Sequence, residues 1–414
     1  MKTNVWFISK YNGHPKYCNG TCRTYFITHE LKKIGHKVAV ISSDFWKGSL
    51  NWTKDNYKKE KSKKETYFLE SDKLTFLTIS TFPYKLSKSF ERIISWIDFE
   101  IKLFFLPVKK LFIPNVVIIS TPSLLTIING LIFKLRFRSK LIIEVRDIWP
   151  LNLTAEGNFR KNNFLIKFLS LLEYLGYRYC DHIVGTMPNL EKHIMKIIPI
   201  KKKVSCIPNG YDPTYFSKIT KSETAINIDS NKFYIGYFGS FGITNALETV
   251  FHAAHLLRKD KSIHFLFVGD GQLKKSFENK FKKYSNITFI ERINHEEVFN
   301  LSSKCDLLYF SVKDSIVWKY GQSLNKVVDY MLSGRPILAS YDGFQSMINE
   351  ADCGFFVKPG DAISLSKKIK EISYLPKEYL TKMGNKGKQW ILKERPFEFL
   401  AKQYSEILIS TIKK

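Results

Sequence analysis

Cysteine is scarce in this chain of 414 residues. There are six, Cys18, Cys22, Cys180, Cys206, Cys305 and Cys353, and no CxxC pair. Cys18 and Cys22 stand four apart, but no Cys/His cluster completes a four-ligand zinc site, so all six are expected as reduced thiols of a cytosolic protein. A long hydrophobic run is missing as well. The most apolar region, residues 101–120, is broken by Pro107, Lys109, Lys110 and Pro114, which argues against a membrane-spanning helix. The first residues, Met1-Lys-Thr-Asn-Val-Trp-Phe-Ile-Ser9, lack the apolar core and small-residue cleavage site of a secretion signal. Acidic residues are in deficit: 38 Asp+Glu stand against 65 Lys+Arg, a net charge of +27. Phosphates, nucleic acid or anionic lipid headgroups are the partners such a surface attracts. No clustered aromatic-basic recognition motif is present, so a specific nucleic-acid partner is not expected. No Asp-x-Asp pair stands in a convincing setting, and neither a metal nor another cofactor is expected.

What is there describes a globular α/β protein. Hydrophobic residues make up 44% and charged residues 25%, a folded balance at a length that allows two domains with a sizeable core each. Residues 5–9 read as a buried strand, 10–20 as a loop with Gly13, Pro15 and Gly20, and 21–34 as a helix stopped by Gly35 before a strand at 37–42. That order is the right-handed crossover of a parallel sheet. Gly20 stands where the loop meets the helix, where backbone can approach a phosphate, although one glycine is far from a GxGxxG fingerprint. Residues 44–70, with the run Lys58-Lys-Glu-Lys-Ser-Lys-Lys64, are expected to be a mobile, solvated insertion. Residues 82–108 mix aromatic and apolar side chains with Lys85, Lys88, Arg92, Lys102, Lys109 and Lys110 around them. They suit either a core helix with a charged outer face or a basic amphipathic element on an anionic membrane, and the total charge favours the membrane. After strands at 74–80 and 116–120, the segment Leu141-Ile-Ile-Glu-Val-Arg-Asp-Ile-Trp-Pro150 sets Glu144, Arg146 and Asp147 at the carboxyl end of a buried strand. Open α/β sheets bind their ligands there. Structural pairing of Arg146 with a carboxylate is the alternative.

Strands at 181–187 and 204–208 lead to the Asn209-Gly210 turn and then to a polar segment, 217–231, the expected linker. A second α/β series follows. Its first strand, 234–238, ends in Gly239-Ser240-Phe241-Gly242; its second, 264–268, ends in Gly269-Asp270-Gly271. Strands at 287–290, 307–311, 336–339 and 354–357 complete it. The chain therefore reads as two Rossmann-like domains with parallel sheets, 1–210 and 217–395. A final helix, about 396–414, is expected to pack back on the first, and a ligand to lie in the cleft at the strand carboxyl ends. Within the second series, the loop from Trp318 runs through Ser323, Leu324 and Asn325 into an apolar helix that stops at Gly334. A loop opening a helix presents unpaired amides and the positive end of the dipole, which suits a phosphate. Lys326 in the first turn works against that dipole unless an anion is near. Asp329, one turn on, is placed to accept hydrogen bonds from a sugar diol. An ordinary loop, helix and strand with a solvated lysine is the alternative.

Several of these pieces, in this order and spacing, resemble the retaining glycosyltransferases of family 4, which have the GT-B fold. They are Gly20-Thr-Cys-Arg23, Val145-Arg-Asp-Ile-Trp-Pro150, Ile207-Pro-Asn-Gly-Tyr-Asp212, Gly236-Tyr-Phe-Gly239, Val268-Gly-Asp-Gly271 and Tyr320-Gly-Gln-Ser-Leu-Asn-Lys-Val-Val-Asp-Tyr-Met331. The Arg-Asp-Ile-Trp-Pro and Tyr-Gly-Gln-Ser-Leu-Asn-Lys segments resemble the fucosaminyltransferase-like branch that serves bacterial surface-polysaccharide (O-antigen or capsule) assembly. The resemblance implies a uridine-diphosphate-linked N-acetylamino sugar as donor and a polyprenyl-diphosphate-linked saccharide as acceptor, at the inner face of the cytoplasmic membrane. It places Gly20 against the donor diphosphate, with Gly239, Ser240 and Gly242 and the amides at Ser323, Leu324 and Asn325 as the second cradle. Asp329 falls where the ribose is held, and Gly269, Asp270, Gly271 and Arg292 where the base lies. Asp147, with Arg146, would orient acceptor or donor sugar, and Lys326 would neutralise the departing diphosphate. This chain departs from the family pattern twice. Gly321 stands where the first motif glutamate would, and no basic residue occurs in Gly239–Asn245, so Lys326 is expected to supply that charge. A nucleotide-sugar epimerase of the same fold and a basic scaffold without chemistry remain the rival readings.

Overall fold

A computed structural model of the protein describes residues 2–12, 14, 23–45, 65–84, 90–106, 111–157, 159–160, 162–219, 228–229 and 231–413. Gly20, Cys18, Cys22, the lysine run at 58–64, Lys85, Lys88, Lys109 and Lys110 lie outside the described residues. The chain divides into two compact units, Met1–Pro208 with Phe397–Lys414, and Asn209–Pro396.

The first unit is built on β1 (Asn4–Ile8), β2 (Lys37–Ser43), β3 (Glu65–Ser71), β4 (Leu74–Ile79), β5 (Val116–Ser120), β6 (Lys140–Val145), β7 (His182–Gly185) and β8 (Val204–Cys206). They form one sheet in the order β3-β4-β2-β1-β5-β6-β7-β8, parallel except for β3. Every residue of the strand Val116-Val-Ile-Ile-Ser120 is buried, because helices cover both faces of a parallel sheet and its strands read as unbroken apolar runs. The helices are α1 (Arg23–Ile34), α2 (Phe90–Phe104), α3 (Thr126–Arg136), α4 (Leu151–Ala155), α5 (Phe164–Tyr179) and α6 (Leu190–Ile197). Strand order reverses between β1 and β5, the switch point at which doubly wound sheets open a crevice.

One expectation fails here. Residues 65–70, expected as the end of a mobile insertion, instead belong to β3, antiparallel to β4 from Glu65↔Ile79 to Ser71↔Leu74. A tight turn closes the hairpin, with Ser71 Oγ accepting from the Leu74 amide at 3.2 Å. The run Thr66-Tyr-Phe-Leu69 is β-prone, and the lysines upstream conceal it in a composition-based reading.

The second unit begins with α7 (Pro213–Ile219), so the first residues of the expected linker are helical. Its strands are β9 (Phe233–Phe238), β10 (Ile263–Val268), β11 (Ile287–Ile290), β12 (Leu307–Ser311), β13 (Ile337–Ser340) and β14 (Gly354–Val357). All pair in parallel in the order β11-β10-β9-β12-β13-β14, with the reversal between β9 and β12. Around them lie α8 (Glu248–Leu256), α9 (Lys274–Phe281), α10 (His295–Lys304), α11 (Asn325–Leu332), α12 (Met347–Glu350), α13 (Ala362–Ser373) and α14 (Lys377–Glu394). Asn294 and Glu297 close α10 with a reciprocal capping box, which fixes where His295 enters the helix. The last helix, α15 (Phe397–Ile412), belongs to the first unit, where Leu400, Tyr404 and Leu408 join the core formed with α1, and Phe397 stacks on Phe26 at 5.2 Å.

Candidate functional site

In the second unit the chain leaves β9 and β10 through glycines. Gly239 has φ +155°, Gly269 +141° and Gly271 +156°, and the two loops are stitched together by Gly239 N–H to Val268 O at 3.0 Å and Phe241 N–H to Asp270 O at 2.9 Å. A methyl group at position 269 would stand 2.0 Å from the Gly239 carbonyl oxygen, so only glycine allows the loops this approach. The loop after β12 joins from the other side of the switch point: Lys313 N–H donates to Thr244 O at 3.0 Å, and Ser311 Oγ to Asn245 O at 2.5 Å.

Lys326 reaches into this corner from the first turn of α11. Its Nζ donates to Asn245 Oδ1 at 2.8 Å and Tyr237 Oη at 3.2 Å, and lies 4.7 Å from the centre of the Tyr237 ring. Among the described residues it makes no ion pair with a carboxylate. Desolvation takes its pKa down to about 8. Asn245 also donates to Ser240 O at 2.9 Å and Ser240 Oγ at 3.1 Å, so one carboxamide ties the lysine to the β9 loop.

The amides at the start of α11 are unequal. The Leu324 N–H is taken by Gln322 Oε1 at 3.0 Å, whereas those of Asn325 and Lys326 have no acceptor among the described residues. Ser323 is held from below. Its Oγ accepts from the Asn209 amide at 2.7 Å, and its carbonyl accepts from the Asn209 side chain. Asp329, one turn along, takes His295 Nε2 at 3.2 Å on Oδ1, and His295 in turn stacks on Tyr215 with ring centres 5.7 Å apart. The hydrogen bond to Asp329 raises the pKa of His295. Gly321 is buried with φ +96°, a conformation closed to a glutamate without strain.

Gly239, Ser240, Gly242, Gly269, Gly271 and Lys326 therefore gather at one corner, with Ser323, Leu324 and Asn325 at the helix start beside it. Arg292 is exposed on the segment after β11 and takes no part in that corner's hydrogen bonds. Gly20 lies outside the described residues. Sequence reasoning missed Tyr237, Asn245, Gln322 and His295, which hold Lys326, Leu324 and Asp329 in place. Tyr237, Asn245 and His295 act from other elements, so no local signal marks them; Gln322 acts within the loop itself, two residues before Leu324.

In the first unit, Arg146 and Asp147 follow β6. The Thr121 hydroxyl binds them together, accepting from Arg146 N–H at 3.1 Å and donating to Asp147 O at 3.4 Å. Asp147 is open to solvent yet crowded by protein, and the desolvation raises its pKa against the lowering effect of Arg146. Glu144 is not part of this group. It is fully buried and pairs with Arg23 at 2.5 Å, its other oxygen accepting from Ser120 Oγ at 2.6 Å. Arg23 goes on to donate to the carbonyls of Ile207 at 2.7 Å and Pro208 at 3.4 Å. The end of β6 explains the correction: Glu144 lies among the paired, buried residues of the strand, while Arg146 and Asp147 lie beyond the last paired residue, Val145.

Residues 218–390 match the family model of the glycosyl transferases group 1. That match covers most of the second unit, Asn209–Pro396. A probable glycosyltransferase of Pseudomonas aeruginosa, WbjE, is 23% identical over 275 residues, 63% of this chain and 66% of the relative, so the match spans just under two thirds of that protein. Among solved structures, sucrose-phosphate synthase from Thermosynechococcus elongatus superposes with a TM-score of 0.73 at 15% identity, covering 99% of each chain. HepE from Anabaena, solved with UDP, gives 0.64 at 14% identity, covering 99% of this chain and 100% of its own. At these identities the structures establish the fold, which is GT-B.

Proposed function

We propose that the protein transfers a sugar, an N-acetylamino sugar by the sequence resemblance, from a uridine diphosphate donor to a polyprenyl-diphosphate-linked saccharide, with retention of the anomeric configuration. The observation that carries the donor half is Lys326: an ammonium held by neutral partners in the first turn of a helix whose neighbouring amides are open. A helix start opposes such a charge, and a diphosphate resolves the conflict by accepting from Lys326 and from the Asn325 and Lys326 amides. Charge that develops on the departing diphosphate is stabilised by these preorganised donors. Asp147 orients the acceptor hydroxyl or donor sugar, and the departing diphosphate takes the hydroxyl proton on the face it leaves. The match to the group 1 model and the UDP carried by HepE support a nucleotide-sugar donor; WbjE's name supports the transferase assignment.

Membrane contact belongs to the same proposal. Among the described residues no helix is long and apolar enough to span a bilayer, but α2 shows an outward stripe of Ile93, Ile97 and Ile101, continued just past its end by Phe105, 73% exposed. Leu135 on α3, which packs beside α2, is 79% exposed. Apolar stripes on a chain of net charge +27 suit an anionic lipid surface.

The test is incubation with UDP-linked N-acetylhexosamines and farnesyl-diphosphate-linked saccharides, with and without EDTA, followed by mass spectrometry. Formation of an extended lipid-linked product at equal rates with and without chelator is expected. An epimerised donor with no dependence on the lipid-linked saccharide contradicts the proposal.

A further inference from the structure

Three aromatic side chains meet at the carboxyl ends of β1 and β6, beside Asp147. Tyr11 follows β1, Trp149 follows β6 two residues after Asp147, and Trp96 comes from the middle of α2. Trp96 Nε1 donates to Tyr11 Oη at 2.5 Å, and the Trp96 and Trp149 rings meet edge to face with centres 5.9 Å apart at 71°. Arg92, one turn before Trp96, sets its guanidinium 5.0 Å from the Trp96 ring. The Trp149 amide donates to Asp147 O at 3.0 Å, so indole and carboxylate are parts of one turn. All three rings are only half-buried.

The position of α2 is fixed from beneath. Lys10 is fully buried, and its Nζ lies 3.0 Å from both Ser95 O and Ser95 Oγ, 3.4 Å from Ser43 Oγ and 3.5 Å from Thr81 Oγ1, with the Phe99 ring 5.3 Å away. One lysine thus clamps the inner side of α2 to the ends of β1, β2 and β4. With Ser95 and Phe99 turned inward, Trp96 faces Tyr11 and Trp149, while Ile93, Ile97 and Ile101 remain on the exposed side.

The grouping has the chemistry of a saccharide site. A pyranose offers C–H groups on its faces and hydroxyls around its rim. Rigid indoles pack against the first, and fixed polar groups read the second. Arg92, Arg146, Asp147 and the Tyr11 hydroxyl supply the polar groups here. Because the aromatic group is continuous with the turn that carries Asp147, a sugar lying on it presents a hydroxyl at that carboxylate.

We propose that Trp96, Trp149 and Tyr11 form the platform that holds the acceptor saccharide, with Arg92 reading its polar rim and Lys10 as the positioning residue that sets α2. The assignment rests on the transferase reading given above. It locates the sugar of the acceptor on α2 and the β1 and β6 ends, and makes Trp149 a determinant of acceptor specificity.

The experiment compares the native chain with Trp149→Ala, Trp149→Phe and Trp96→Ala. Each is titrated calorimetrically with UDP, and with farnesyl diphosphates carrying N-acetylglucosamine, glucose or galactose while tryptophan fluorescence is followed; acceptor KM and kcat are then measured. Native protein is expected to bind UDP and to show a fluorescence change with at least one of the three. Trp149→Ala and Trp96→Ala should raise the acceptor KM at least ten-fold, with kcat less affected and UDP affinity unchanged. Trp149→Phe should restore most of the acceptor affinity. Acceptor binding equal in all variants, or by none of the three probes to native protein, overturns the platform while leaving UDP binding intact. Equal loss of UDP and acceptor binding in the alanine variants makes the rings a structural plug and also overturns it. Failure of native protein to bind UDP sinks the transferase reading itself.

Discussion

Among the described residues no carboxylate pairs with Lys326, an arrangement that costs the free protein stability and favours an anion. Its folded-state pKa, about 8, lies below the ordinary 10.5, so the unfolded chain binds the proton more tightly and stability should rise with pH between 8 and 10.5. Replacement by methionine, which keeps the stem and removes the charge, is expected to leave the melting temperature of the free protein unchanged or higher at pH 7. The same replacement should weaken UDP binding by about 1.5–3 kcal/mol, ten-fold or more. In the native protein UDP affinity should fall as pH climbs past 8, where the ammonium loses its proton, and binding there should take up a proton. Melting curves and calorimetry in buffers of different ionisation enthalpy check both. The Arg23–Glu144 pair has the opposite character. Both partners are buried and joined, so Glu144→Gln leaves an uncompensated guanidinium and is expected to cost about 3–5 kcal/mol in urea denaturation. It should do so without changing UDP affinity per folded molecule.

At the scale of elements, strands and their order were the legible part. Runs such as Val116–Ser120 and Leu307–Ser311 are apolar because parallel strands are covered on both faces, and composition alone carries that signal. The β3 hairpin was not legible, since its pairing depends on a turn at Ser71 within a lysine-rich context. Nor was the division of labour at the end of β6, where Glu144 lies inside the strand and pairs with the buried Arg23 of α1, while Arg146 lies one residue beyond the strand. Lys326 was legible because it breaks a local rule at a helix start; Tyr237 and Asn245, which hold it from 89 and 81 residues away, follow none. For α2, the sequence left a core helix and a membrane-facing helix open. In the structure, Ser95, Phe99 and Leu103 point inward and Ile97 and Ile101, 49% and 53% exposed, point outward. Ile97→Asp with Ile101→Asp is expected to lower co-sedimentation with phosphatidylglycerol vesicles at least several-fold while UDP affinity stays within error. Equal sedimentation of native and variant protein would assign the stripe another role.

For the whole molecule, two α/β units and an excess of 27 positive charges set the terms. The second unit carries the stretch that matches the group 1 model and the corner at Lys326 proposed for a diphosphate; the first carries Asp147 and the proposed aromatic platform beside it. The vesicle binding expected of this chain should weaken with salt, because exposed cations are screened beyond a Debye length of about 10 Å at 0.1 M. The claim on which the rest depends is that the start of α11 takes a nucleoside diphosphate through Lys326. Calorimetric titration at pH 7 with UDP, uridine and inorganic diphosphate, on native protein and Lys326→Met, tests it directly. Saturable UDP binding in the native protein, much weaker binding of uridine, and a loss of ten-fold or more in the variant are the predicted result. UDP affinity unchanged by the substitution, or no UDP binding by the folded native chain, would contradict it.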